Sequence, residues 1–464
     1  MPRTARLKKS DMYSGPVGSL YHRCPLCPPR PSNDPTLRRC SACRAIRYCS
    51  REHQVADRPK HRYICKEIKA ARADLSREEH GVRNATPDFM TPANAFETDV
   101  GDFWGVVSTR DYMRARCMLA KCLCSIDTMD GVTECLEHLQ DMLRLCQTDN
   151  VGNRQIVPTV MLRLDLDQEC YEFVKWWAFQ DQCSAYDCDD GNSLYYYNAY
   201  GADALESPGC IVRRSPCLEH LDALLVLKLK LLVDIRSIKI TRKLLARRQL
   251  PFELRVLIER DVVRSPISLK FLKEPQESLR KTEQTLLIHA RRLGKTIMTA
   301  NKHFMPILFD PDEALGSEFP MYSPGSWEQA ALVVQNSYAT WRETEGILDL
   351  LNDARACSMQ NHRSKYNGAT DREESQEEQS SEALRGGEQS LNDMWWYLDW
   401  AAENSAWLGP LPERPSERHM RKTNEDAEKS AAEVVTKTSA LLNNENESDW
   451  ENESDSEEDD DADN

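Results

Sequence analysis

Eight potential metal ligands fall within forty-two residues: Cys24, Cys27, Cys40, Cys43, Cys49, His53, His61 and Cys65. A Cys-x2-Cys pair turns two sulfurs toward one tetrahedral ion. Cys49 and His53, like His61 and Cys65, are four residues apart, one helical turn, so each pair faces one metal. Eight ligands divide into two closed sets of four, the number that structural zinc takes. A stretch this short cannot bury enough apolar surface to fold unaided, so metal has to supply the missing stability. The other four hundred residues are long enough for an ordinary hydrophobic core.

The chain has 17 cysteines, and its first ten residues, MPRTARLKKS, are basic and are not followed by an apolar run. No secretory leader is expected, and thiols that are free or metal-bound place the protein inside the cell, in nucleus or cytoplasm. The longest apolar run, 221–235, is interrupted by Asp222, Lys228, Lys230 and Asp234, so no membrane span is expected. Net charge is −15, yet residues 1–65 hold fourteen Lys and Arg against four acids. Residues 443–464 hold twelve acids and no base. A globally acidic chain is a poor fit to nucleic acid, which leaves proteins or short peptides as the expected partners.

The ligand cluster occupies 21–68, after a basic arm at 1–20 expected to be disordered. Residues 69–98 are polar and are expected to form a linker that begins as a continuation of the cluster's last helix. From 99 to 358 apolar residues recur at helical spacing. Cys135, Leu136, Leu139, Met142, Leu143 and Cys146 form one stripe, and further helices are expected at about 109–125, 167–180, 217–237, 276–304 and 326–356. Strand alternation is scarce, and two irregular insertions, 181–216 and 305–325, interrupt the pattern. The expected fold is a small two-metal module followed by a larger, mainly α-helical domain of antiparallel pairs, with a solenoid-like stack as one form.

Residues 359–390 are expected to be a disordered linker and 411–464 a disordered acidic tail. Between them, 391–410 is an aromatic island in which Trp396, Trp400 and Trp407 share one helical face. This helix is expected to pack onto the chain's own helical domain, with docking to another protein as the alternative.

The stretches Arg47-Tyr-Cys-Ser-Arg-Glu-His-Gln54 and Asp57-Arg-Pro-Lys-His-Arg-Tyr-Ile-Cys65 resemble the second half of a MYND-type zinc finger, with His53 where that family more often has cysteine. The resemblance implies a cross-braced pairing. Zinc one would take Cys24, Cys27, Cys49 and His53, and zinc two Cys40, Cys43, His61 and Cys65. Spacing alone also allows sequential pairing, the first four ligands on one ion and the last four on the other. Each cross-braced site has net charge −1, which nearby Arg23, Arg38, Arg39, Arg44 and Arg47 are placed to offset. Both sets would be full without water, hence structural and not catalytic.

The resemblance also implies protein binding, often of proline-containing peptides, and a role in transcriptional regulation. Ser41 and Gln54 match positions that line the family's peptide groove, whereas Arg58 stands where the family has tryptophan. Arg58 removes an aromatic platform and favours an acidic peptide. Some MYND fingers sit within SET-domain lysine methyltransferases, but the Asn-His-Ser/Cys and Gly-Glu-Glu-Leu signatures of that domain are not found here. The expectation is a non-enzymatic scaffold, with a methyltransferase and a nucleic-acid-binding finger as alternatives. Gly294-Lys-Thr296 lacks the earlier glycine of a phosphate loop, His289 standing in that place. His220, His289 and His303 lie in helical segments and are expected to be core or surface residues.

Overall fold

The computed structural model describes residues 20–27, 37–88, 91–180, 199–214, 216–318, 321–367 and 389–404. The basic arm except Leu20, which is buried, the acidic tail, most of the 359–390 linker and half of the 181–216 insertion lie outside them.

The N-terminal module is a hairpin of two-residue strands, β1 (Arg38–Arg39) and β2 (Arg47–Tyr48), followed by the helix α1 (Arg51–Arg83). Ser50 caps α1, its Oγ accepting from the His53 N–H at 3.3 Å, which fixes where the helix starts and so where His53 points. The stretch expected to be a linker is helical as far as Arg83, and its Ala71 and Val82 are buried. This part of α1 lies on α2 (Arg110–Cys124). Polar composition hid the contact, because a helix that touches a neighbour along a narrow seam needs few apolar residues.

Three further helices follow, α3 (Met129–Leu145), α4 (Asn153–Arg163) and α5 (Asp167–Gln180), each packed on the one before it. The rest is arranged around α6 (Leu218–Leu245), in which every residue from Leu218 to Ile238 is buried. A helix apolar on all sides must be surrounded. Here α4, α5, α8 (Gln276–Ala300) and α10 (Trp327–Glu343) do so, while α7 (Phe252–Asp261) buries none of its residues and α9 (Phe304–Phe309) packs its apolar side on α10. The charges that interrupt the run are buried with partners. Lys230 Nζ donates to Asp165 at 2.6 Å and Asp167 at 2.8 Å, and Asp234 accepts from the Arg264 and Ser265 N–H groups.

The expected 326–356 helix is two, α10 and α11 (Ile347–Asn367), parted at Gly346, whose φ of 85° an L-residue would resist. Helix α4 escaped the periodicity argument because it is buried nearly all round and contains Pro158. His220 and His289 are buried in the helical core.

The aromatic island does return to the helical domain, but not by the expected face. Residues Met394–Tyr397 form a 3₁₀ turn before α12 (Leu398–Asn404), so the apolar period shifts. Met394, Trp395, Leu398, Ala401 and Ala402 are buried, while Trp396 and Trp400 stay 60 % and 47 % exposed. Trp407 lies outside the described residues. Gly294, the glycine of the Gly-Lys-Thr run, is where the Trp395 ring lies: a Cβ there would come within 2.1 Å of the indole. Gly294→Ala is therefore expected to expel Trp395, costing roughly 3 kcal/mol. A red-shifted tryptophan emission and a lower melting temperature would record it; an unchanged melt would refute the packing argument.

Candidate metal centre

The zinc ligands come from three local structures. Cys24 and Cys27 sit in a tight turn closed by the Cys27 N–H on the Cys24 carbonyl. Cys40 and Cys43 lie in the loop that joins the two strands, where the Cys40 N–H bonds the Ile46 carbonyl and Arg44 adopts φ 60°. Cys49 precedes α1, and His53, His61 and Cys65 are on it.

The fold gathers these into two sets, Cys24–Cys27–Cys49–His53 and Cys40–Cys43–His61–Cys65, with ligand atoms within 4.8 Å of one another in each. The pairing is cross-braced, and sequential pairing is excluded. A tetrahedral zinc with Zn–S near 2.3 Å and Zn–N near 2.1 Å requires ligand-to-ligand edges of roughly 3.5–3.8 Å. In the first set Cys27 Sγ lies 3.4 Å from Cys49 Sγ, and His53 Nδ1 lies 3.5, 3.4 and 3.2 Å from Cys24, Cys27 and Cys49. In the second, Cys40 and Cys65 are 3.8 Å apart and His61 Nε2 is 3.5 Å from Cys43. The residues fit two zinc ions, His53 through Nδ1 and His61 through Nε2. All four ligands of the second set are buried, whereas Cys49 in the first is exposed.

Burial and neighbouring sulfurs push the Cys27 and Cys43 thiols up to about 12. Cys40 is also burdened by burial, but the N–H groups of Cys43 and Ala42 outweigh it and lower its pKa. Most of these sulfurs resist ionising by themselves, so metal binding has to drive proton release. Around the second set, Tyr48 donates to Asp57 at 2.7 Å and its ring meets the His61 ring edge-on. Such contacts hold a metal-binding imidazole in one orientation.

Four residues that sequence reasoning passed over, Arg72, Thr128, Asp130 and Glu134, lock the finger to the helical domain. Arg39 and Arg47 are directly opposite in the hairpin, a like-charge pair that is unfavourable by itself. Asp130, in the first turn of α3, neutralises both: Arg39 Nη2 donates to it at 2.6 Å, Arg47 Nε at 2.6 Å and Arg47 Nη2 at 2.9 Å. These two arginines, expected to offset the charge of the zinc sites, are thus engaged elsewhere. Arg72 on α1 pairs with Glu134 and also donates to the Cys43 carbonyl at 3.0 Å. Thr128 caps α3 and donates its hydroxyl to the Ala45 carbonyl. No local motif marked Asp130, Glu134 or Arg72, since the ion pairs they form between finger and helical domain join residues 62 to 91 apart.

The three peptide-groove candidates lie around the second set. Ser41 is within the Cys40–Cys43 turn, and Gln54 and Arg58 are one turn apart on α1, on the face that also carries His61 and Cys65. Ser41 and Arg58 are exposed and Gln54 is half-buried. The Arg58 charge reaches both His61 and Cys65. A separate cavity of about 440 Å³, between finger and helical domain, is lined by Tyr21, Lys60, Tyr63, Ile126 and Met129 among others.

Among the described residues no helix is long and apolar enough to cross a membrane. Comparison with curated proteins and with solved structures found no significant match to the chain. Comparison with protein families matched residues 23–65 to the MYND finger. Residues 23–65 are therefore a MYND finger, cross-braced around two zinc sites and standing at the head of a mainly helical domain.

Proposed function

We propose that this chain is a non-catalytic protein-binding scaffold, acting inside the cell through its finger and its helical domain. The observation that carries the reading is the closure of both zinc sites: four protein ligands each, with no coordination position left for a substrate. MYND fingers usually mediate protein interaction, and this one is clamped to the helical domain by Asp130 and Glu134, so it offers a fixed surface. Ser41, Gln54 and Arg58 form the candidate peptide contact, and the exposed guanidinium of Arg58 suits an acidic peptide. A SET-type methyltransferase would need a strand-rich catalytic domain, and the strands among the described residues are the two-residue pair of the hairpin. Transcriptional regulation is the process this reading favours.

The test is affinity purification with the intact chain beside Cys40→Ala/Cys43→Ala and Arg58→Glu versions. Finger partners should vanish with the double variant, and acidic-peptide partners with Arg58→Glu. Retention of every partner by both, or methyl transfer to a protein substrate by the purified chain, would overturn the proposal.

A further inference from the structure

At the C-terminal end of α6 the cations Arg236, Lys239 and Lys243 lie on one side of the helix, at offsets 0, 3 and 7, and Arg247 follows two residues beyond the last helical residue. With Arg280 from the first turns of α8 they line a groove of about 930 Å³. Some of this charge is answered within the domain: Lys239 pairs with Glu283, and Arg280 lies 3.7 Å from Glu277. Arg236 is not fully answered. Its side chain is nine-tenths buried, one Nη reaches Glu283 at 3.5 Å, and its Nε has no hydrogen-bond partner. A buried guanidinium N–H left without an acceptor costs about 1–3 kcal/mol, and Arg236 lines the groove, which an anion could enter. Lys243 and Arg247 are exposed at the mouth.

The chain itself carries a polyanion of suitable spacing. Between 445 and 457 acids stand at every second position: Glu445, Glu447, Asp449, Glu451, Glu453, Asp455 and Glu457. Laid out extended, such a segment presents all seven carboxylates on one side, about 6.6 Å apart. The cations recur about once per helical turn, roughly 5.4 Å, about 1.2 Å less than the carboxylate repeat, so an extended segment can pair with two or three successive cations before the repeats drift apart. The described chain also ends at this place: Glu403, in the last turn of α12, forms part of the groove wall. The forty residues 405–444 that follow are long enough to bring the acidic stretch back, and tethering raises its effective concentration to about the millimolar range. We propose that the groove of Arg236, Lys239, Lys243, Arg247 and Arg280 binds the acidic segment 445–457 of the same chain.

Zero-length carbodiimide crosslinking of the full-length, zinc-loaded chain at low concentration tests this, using an equal mixture of ¹⁵N- and ¹⁴N-labelled protein. Links should join Lys239 and Lys243 to acids of 445–457 within single-isotope chains. Their yield should fall about fivefold in Arg247→Gln/Arg280→Gln, which removes two exposed ion pairs but no crosslinkable amine. It should fall similarly in wild type at 0.5 M salt, a measurement that needs no variant. Links concentrated on Lys8 and Lys9, links unchanged by both treatments, or links between isotopes would each overturn the assignment. So would groove-dependent binding of a random RNA 20-mer with the tail links absent.

Discussion

Withdrawal of zinc is expected to unfold residues 20–68 and to leave the helical domain folded. The finger has a core of a few residues, including Cys43, Ala45, Tyr48 and Ile68, so its stability is chiefly the metal's, on the order of 10 kcal/mol for a structural zinc site. The helical domain has its own core around α6 and should survive. After chelation, limited proteolysis should cut between 38 and 62 while the chain beyond 95 stays protected, and far-ultraviolet circular dichroism should lose only a minor part of its helical signal. A protease-resistant finger free of metal would refute this. The two sites should also differ. Cys43→Ser strikes the fully buried set and should abolish folding of the finger, whereas Cys49→Ser, at an exposed ligand, should lower zinc affinity and leave the hairpin formed.

Asp130→Ala should loosen the hairpin of the finger from the helical domain without emptying it of zinc, the Arg72–Glu134 pair and the packing of α1 on α2 being retained. The substitution leaves Arg39 and Arg47 facing each other without their shared carboxylate, at a cost of about 3 kcal/mol. Faster amide exchange over 38–48 and 128–131, at an unchanged zinc content of two ions, is the expected signature; unaltered exchange would show that the clamp is ornamental. Acid should act in the same direction. Burial alone would raise the Asp130 and Glu134 pKa values. For Asp130 the Arg47 hydrogen bond and the charges of Arg39 and Arg47 outweigh it, and for Glu134 the His138 ring, 3.7 Å away, and the hydrogen-bonded Arg72 do, bringing Glu134 down to about 2. Carboxylates with depressed pKa values stabilise the folded state above their unfolded values near 4, and that contribution is lost as pH falls through the folded pKa. The stability difference between wild type and Glu134→Gln should accordingly be full at pH 6 and shrink between about pH 4 and 2.

The ligand cluster was legible because metal coordination is local chemistry: residue type and spacing are nearly the whole signal. Helices with a clear apolar stripe, such as Met129–Leu145, were legible for a similar reason. Asn153–Arg163 was not, since a helix buried all round has no stripe to find, and the packing face of the aromatic island was misjudged because a 3₁₀ turn changed its period. Exposed Trp396 carries Lys295 3.9 Å above its ring, a contact that no spacing rule over 100 residues predicts.

By itself the sequence determined that this chain carries eight metal ligands in two sets of four and a mainly helical body. Only the tertiary structure decided which ligands share an ion, that Arg39 and Arg47 answer to Asp130, and that Gly294 is small for the sake of Trp395. The division has a physical cause. Ligand chemistry and helical periodicity act over a few residues, whereas the pairing of charges and the filling of space depend on which distant surfaces the packed core brings together.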